Sequence, residues 1–265
     1  MFPLYTRTFP SSATELTQLL DASLQRVFAG ASNPVSVRAK NYPNLADLRV
    51  VLDRAQLRPN PPPPPRPLGE GTPALTVDDL EITASALSLG PATADLKLRA
   101  TDVALHQATD ASGDIILTLQ SAANGEVEVS ADKAELERAI AAVATREAGK
   151  HGVSIDQVQV SVSSRGARSV DAEVRLRGRK LFFTTVIRIA AKLDLDEELN
   201  ARLSGLACHG EGAVGALACS VLEPHLQKLD GKSFALMGLP LGEVRLRDVR
   251  LSVGDKLAVN AEFGA

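Results

Sequence analysis

Residues 153–195 read VSIDQVQVSVSSRGARSVDAEVRLRGRKLFFTTVIRIAAKLDL, and their reading decides the fold. Val158, Val160 and Val162 alternate with polar residues, and so do Val170, Ala172, Val174 and Leu176. Leu181, Phe183, Thr185, Ile187 and Ile189 do the same. A period of two marks strands with one buried face, so the stretch is read as three consecutive antiparallel strands. Turning the chain over Arg177–Lys180 sets Leu176 opposite Leu181, Val174 opposite Phe183, Ala172 opposite Thr185 and Val170 opposite Ile187. The other turn is expected to set Val162 opposite Val170. A slip by one residue would send every apolar side chain to the wrong face, so the agreement between strands is informative. One face of this meander is apolar, and the other carries Asp171, Glu173, Arg175 and Arg177. The apolar face needs a cover.

The composition allows a large core. Hydrophobic residues make up 45% of the 265 and charged residues 23%, which excludes wholesale disorder. A net charge of −3 offers no global attraction to nucleic acid, and 3% aromatics with no Trp leave no base-stacking platform, so no nucleic-acid partner is expected. The amino terminus lacks the apolar run of a secretory signal, and no window of about 18 apolar residues could span a bilayer. Cys208 and Cys219 are therefore expected as reduced thiols in a cytoplasmic protein.

Working outward, Ser12 and Glu15 form a capping-box pair opening a helix whose stripe holds Leu16, Leu19, Leu20, Leu24, Val27 and Phe28. That stripe is expected to pack on a sheet. Strand-like segments follow, interrupted by a run in which seven of the nine residues 59–67 are proline. Such a run is extended and exposed, and reads as a loop or spacer. Pro61, Pro64 and Arg66 also match a PxxPxR pattern of the kind SH3 domains bind, as any polyproline run beside an Arg does. One local pattern recurs: Leu45-Ala46-Asp47-Leu48, Val77-Asp78-Asp79-Leu80, Ala100-Thr101-Asp102-Val103 and Leu246-Arg247-Asp248-Val249. Its apolar residues stand three apart, breaking strict alternation. It marks either a bulge that bends each strand or entry from a loop into a strand.

Strand material over 114–130 includes a possible turn at Asn124-Gly125. A second helix with Leu136, Ile140, Val143 and Ala144 on its stripe leads into the meander. Residues 193–206 read equally as strand or helical turn. A third helix is expected from Gly212 to Asp230-Gly231; its first turns are small residues, and it contains Pro224. The tail is a hairpin. Val249, Leu251 and Val253 share a face with Ala261, Val259 and Leu257 only if Gly254-Asp255-Lys256 forms a three-residue loop, which is the prediction.

Chemistry-bearing motifs are scarce. Gly210, Gly212 and Gly215 fit G-x-G-x-x-G, but the dinucleotide fold needs a parallel strand after the helix, and an antiparallel hairpin is expected here. Cys208, His209, Cys219 and His225 lie close in sequence without the CxxC or HxxxH core of a zinc site. There is no G-x-S-x-G elbow, P-loop or H-E-x-x-H motif. Catalysis, a cofactor and a resident metal are not expected. Arg175, Arg177, Arg179 and Lys180 form a local basic edge, which reads as a solvated face or as a surface for anionic headgroups.

The order from Ala131 onward is helix, meander, small-residue helix and final hairpin. With Leu236-Met237-Gly238-Leu239-Pro240-Leu241-Gly242 and Asp248-Val249-Arg250-Leu251, it resembles the LmeA-like phospholipid-binding family of bacteria, related to the tubular lipid-binding (TULIP) superfamily. The likeness is clearest over the last half of the chain. It implies an α+β, TULIP-like fold, with a strongly curved antiparallel sheet wrapped around about three helices. It also implies an apolar groove for acyl chains, and no catalytic motif. A single domain over 1–265 is expected, made of a helix-plus-strands half (1–130) and a helix-meander-helix-hairpin half (131–265).

The expected function is noncatalytic binding or transfer of phospholipid, with peripheral contact at the inner face of a membrane. Candidate lining residues are Leu136, Ile140, Leu181, Phe183, Ile187, Ile189, Leu217 and Val221. Arg175, Arg177, Arg179 and Lys180 are the candidates for headgroups. The alternative is a structural or adaptor protein with a filled core, which binds a protein through the proline run or the basic edge.

Overall fold

The computed structural model describes residues 1–150, 152–180, 183–196, 200–235 and 246–264. Its first half runs β1 (Phe2–Pro3), α1 (Ala13–Val27), β2 (Phe28–Ala29), β3 (Val35–Asn41), β4 (Asn44–Val51), β5 (Gln56–Leu57), β6 (Leu68–Leu89), β7 (Ala92–Thr109), β8 (Ile115–Ser121) and β9 (Asn124–Asp132). The second half runs α2 (Lys133–Gly149), β10 (Ser154–Gly166), β11 (Ser169–Lys180), β12 (Phe183–Leu195), β13 (Asn200–Gly210), α3 (Gly212–Leu229), β14 (Ser233–Ala235), β15 (Leu246–Val253) and β16 (Lys256–Phe263). The class is α+β, as expected, but the strands form two hydrogen-bonded sheets instead of one. The large sheet has the order β15-β16-β9-β7-β6-β4-β3, with the short strands at its margins, and the small sheet runs β10 to β14 in sequence order.

The small sheet is the meander, with its faces as read and its register shifted. Val162, Val160 and Val158 lie opposite Ala172, Val174 and Leu176, two residues from the expected pairing. Leu176, Val174, Ala172 and Val170 lie opposite Ile187, Ile189, Ala191 and Leu193, six residues away. Both shifts are even, so the apolar face is unchanged. Pairing continues to the end of β11, with Lys180 opposite Phe183, so the strands pair over a longer stretch than expected. The ambiguous stretch after it is strand, completing β12 and building β13.

In the large sheet most neighbours are antiparallel, but β4 and β5 pair parallel with β6. A parallel pair needs a long return connection, and the exposed proline run supplies it. The run also limits the shape of β6. Gln56 lies beside Ser88, and the chain from Gln56 to Leu68 can reach at most about 43 Å. A straight strand from Leu68 to Ser88 would measure roughly 66 Å. β6 is therefore bent.

The recurring strand break falls where that bend needs it. Ala46 is an extra residue in β4 opposite β3, and Arg247 is one in β15 opposite β16. Between β4, β6 and β7 the breaks line up, with Ala46, Asp78 and Asp102 opposite one another and unbridged. Asp102 has φ +51°. The bulge reading holds at Ala46 and Arg247, where an extra residue bends the strand and adds twist, while Asp78 and Asp102 face each other without a register shift.

Helix α1 starts as the capping box requires, with Ser12 Oγ accepting the Glu15 N–H at 3.2 Å. The Glu15 carboxylate accepts from the N–H and hydroxyl of Ser11 instead of Ser12, which lowers its pKa. Leu16 and Leu20 are buried against the large sheet with Leu45, Leu48, Val77 and Leu105. The stripe is core. The final hairpin has the expected register, Val249, Leu251 and Val253 facing Ala261, Val259 and Leu257. Asn124-Gly125 is not a turn. Both residues open β9, and the buried ring of Phe263 covers Gly125 from β16.

The two sheets meet at β15. The Leu251 N–H donates to Ala167 O at 2.7 Å, and Arg168 donates to Asp248 at 3.1 Å. Hydrogen bonds from Arg168 and Arg250 hold the Asp248 carboxyl below its ordinary pKa. A second core lies beside this junction, made of Val170, Leu195, Ala201, Val249, Leu251 and Ala261.

Candidate functional site

Residues directly opposite across antiparallel strands share a face, so the register defines one apolar surface on the small sheet. Val158, Val174 and Leu176 lie on it with Ile187 and Ile189, and Cys208 and Gly210 continue it onto β13. Its ends are buried: Val170, Leu195 and Ala201 join the second core, and Thr185 is covered by the start of α3. Between them Val158, Ala172, Val174, Ile187, Ile189 and Ala191 are only half-buried. This strip belongs to neither packed core.

Helix α3 lies over the β13 end of the surface because its glycines allow it. A Cβ on Gly210 would fall 2.1 Å from the Gly215 carbonyl, and one on Gly215 would fall 2.6 Å from Thr185 Oγ1. Close backbone packing accounts for the G-x-G-x-x-G spacing. The next turn is held covalently. Cys208 and Cys219 form a disulfide with their Cα atoms 5.4 Å apart, which corrects the expectation of reduced thiols. Local spacing concealed this, since only the return of α3 over β13 brings the pair together. Replacing both cysteines by alanine should lower stability by about 3 kcal/mol, the loop-closure value for a short cross-linked loop, as read by chemical denaturation.

With Gly215 and Cys219 buried against the sheet, α3 leaves Val214, Leu217 and Val221 exposed at 36%, 67% and 59%. They stand three and four residues apart and so form one stripe. At the other side, Glu137 of α2 accepts the Val160 N–H at 2.8 Å, so α2 runs along the free edge of β10. Leu136 and Ile140 are half-buried there, and Val143 is exposed. The result is an apolar strip with a helix on each side.

The structure therefore places Ile187 and Ile189 on one surface, Leu217 and Val221 on the α3 stripe, and Leu136 and Ile140 on α2. Leu181 lies outside the described residues, as does the segment 236–245, and Phe183 is described only by its place in β12. The residues not singled out from the sequence are Val158, Val174, Ala172 and Ala191, although their alternation carried the signal. Among the described residues, a hollow on the outer face of the small sheet is lined largely by polar residues, Gln157, Gln159, Arg175, Arg177 and Thr184 among them. The described side chains of the strip are partly exposed. Arg175, Arg177 and Arg179 project from the opposite face of the sheet, where alternation puts them, and all are exposed.

The model of the LmeA-like phospholipid-binding family matches residues 70–258, well over half of the chain. The chain belongs to this family. The LmeA-like span begins in β6 and ends in β16, so it takes in both helices beside the apolar strip, the whole small sheet and most of the final hairpin. Helix α1 and the proline run lie outside it. No curated protein and no solved structure matches the chain.

Proposed function

We propose that this LmeA-like protein binds phospholipid acyl chains, without catalysis, along the apolar strip of the small sheet between α2 and α3. The observation that carries the reading is a strip of half-buried Val158, Val174, Ile187 and Ile189 in a chain whose family is phospholipid-binding. Helix α3 runs back along β13 with Gly215 and Cys219 inward. At 100° per residue Leu217 then lies opposite the buried face, so Val214, Leu217 and Val221 form an exposed apolar stripe on the far side of α3, open to a second stretch of the same ligand. An acyl chain laid there gains about 0.8 kcal/mol per buried methylene before the costs of binding. The bent β6 and the bulges at Ala46 and Arg247 support a curved, TULIP-like wrap of sheet around helix. The partial exposure of the strip's side chains suits transfer, since an acyl chain could reach them from the side. Arg175, Arg177 and Arg179 on the outer face suit peripheral membrane contact. The disulfide favours an oxidising compartment over the cytoplasm.

The second reading, an adaptor that binds a protein partner, is favoured by one observation: hollows on the outer faces of both sheets are lined by many charged and polar side chains. Native mass spectrometry with organic extraction separates the two. Purified protein should carry phospholipid or take up a fluorescent phospholipid from detergent solution. Protein that is lipid-free and takes up none would overturn the lipid reading.

A further inference from the structure

The outer face of the small sheet holds an arrangement that the fold does not need. Arg175 of β11 lies directly opposite Arg188 of β12, on one face. Like charges directly opposite across strands are destabilising. Arg188 is answered by Glu211, whose carboxylate lies 2.9 Å from it. Arg175 and Arg177 have no carboxylate within ion-pair distance among the described residues, and both are exposed. Gln159 lies opposite Arg175 on the β10 side, and Gln157 opposite Arg177. With Thr184, Thr185, Val186 and Glu211 these residues line a hollow of about 430 Å³. Two unanswered guanidinium groups, two side-chain amides and the Thr184 hydroxyl thus face one shallow depression. Among the described residues Glu211 is its one lining carboxylate, and it is already engaged by Arg188. Arg179 lies farther along the strand, with Asp156 at 3.8 Å.

Arginine presents a planar set of donors that matches phosphoryl oxygens two at a time, and amides add neutral donors beside it. A free phosphate would find this depression wide and open, with no buried partner. A sheet of anionic headgroups fits it better, because it offers many phosphoryl groups to an exposed face. We infer that the face of Arg175, Arg177, Gln157 and Gln159 is a docking surface for the phosphate headgroups of an anionic bilayer. Strand alternation puts this surface on the opposite side of the sheet from Val174, Ile187 and Ile189. Docking and acyl-chain binding are therefore separable by mutation, and the docking surface stands whether or not the strip carries lipid.

The test is co-sedimentation of the full chain with vesicles of phosphatidylcholine alone and of phosphatidylcholine with about one third phosphatidylglycerol. Binding to the anionic vesicles is expected, with little to the neutral ones, and it should weaken as salt is raised. The double variant Arg175→Gln, Arg177→Gln should partition roughly 25-fold less, about fivefold for each charge removed near the surface. Arg175→Lys with Arg177→Lys should retain most of the binding. The Gln variant relieves the Arg175–Arg188 repulsion, so its thermal unfolding should be unchanged or slightly higher, which separates lost docking from lost folding. Its uptake of a fluorescent phospholipid from detergent should equal that of the parent chain. Equal binding to both vesicle types, or an unaffected Gln variant, would overturn the proposal. So would calorimetric binding of inorganic phosphate without vesicle binding, which would make the site one for a soluble anion.

Discussion

Exchanging Ile189 for glutamate is expected to weaken phospholipid uptake roughly a hundredfold, equivalent to about 3 kcal/mol. Ile189 stands midway across the apolar strip, opposite Val174 on one side and Cys208 on the other. An acyl chain covering this position would take the new carboxylate out of water with no donor on the same face to receive it. The neighbours on that face are Val174, Ile187, Ala191 and the disulfide, none of which donates strongly. Because Ile189 is only half-buried without lipid, the carboxylate can reach solvent in the free protein, and folding should survive. Titration with a fluorescent phospholipid reads the first effect and thermal unfolding the second. Ile189→Val, which keeps the surface apolar, should bind within a few-fold of the parent. Undiminished uptake by Ile189→Glu would remove the strip from the binding site.

The largest loss of stability is expected at Phe263, far from the strip. This residue is 1% exposed, and its ring stands where a Cβ of Gly125 would be, 2.1 Å from the nearest ring atom. An aromatic side chain laid over a glycine in the neighbouring strand closes the gap that the glycine leaves in the sheet. It also joins Leu246, Val127 and the main core, so β16 is pinned to β9 by packing as well as by hydrogen bonds. Phe263→Ala should cost about 3–5 kcal/mol and lower the unfolding temperature by about 10 °C in a chain of this size. Denaturant titration gives the measurement. A cost below 1 kcal/mol would mean that the hairpin is held by its backbone alone.

Much of the fold was legible because local patterns dominate it. The caps of α1, the span of α3 and the three-residue loop of the last hairpin each depend on residues within a few positions of one another. The strand breaks at Ala46 and Arg247 were visible as apolar residues three apart, although only the paired strands distinguished bulge from loop entry. The dipeptide Asn124-Gly125 was misleading, because turn chemistry predicts a hairpin there while the real constraint is a ring from β16, more than a hundred residues away in the chain. For the site, the apolar face was legible and its cover was not. Leu217 and Val221 were read as lining residues from helix composition alone, while their exposure follows from which side of α3 the glycines and Cys219 turn to the sheet.

The amino-acid sequence by itself determined which side chains of the meander share a face, because strand alternation is a property of each strand alone. It also carried the family resemblance, the α+β class and the opposition of Arg175 and Arg177 to the apolar residues between them. Only the tertiary structure decided the register, since even shifts of two or six residues keep every face intact and differ only in paired length. It alone joined Cys208 to Cys219, divided the strands into two sheets and set β4 parallel to β6. Those features depend on where distant segments meet, and the half-burial of the apolar strip between α2 and α3 follows for the same reason.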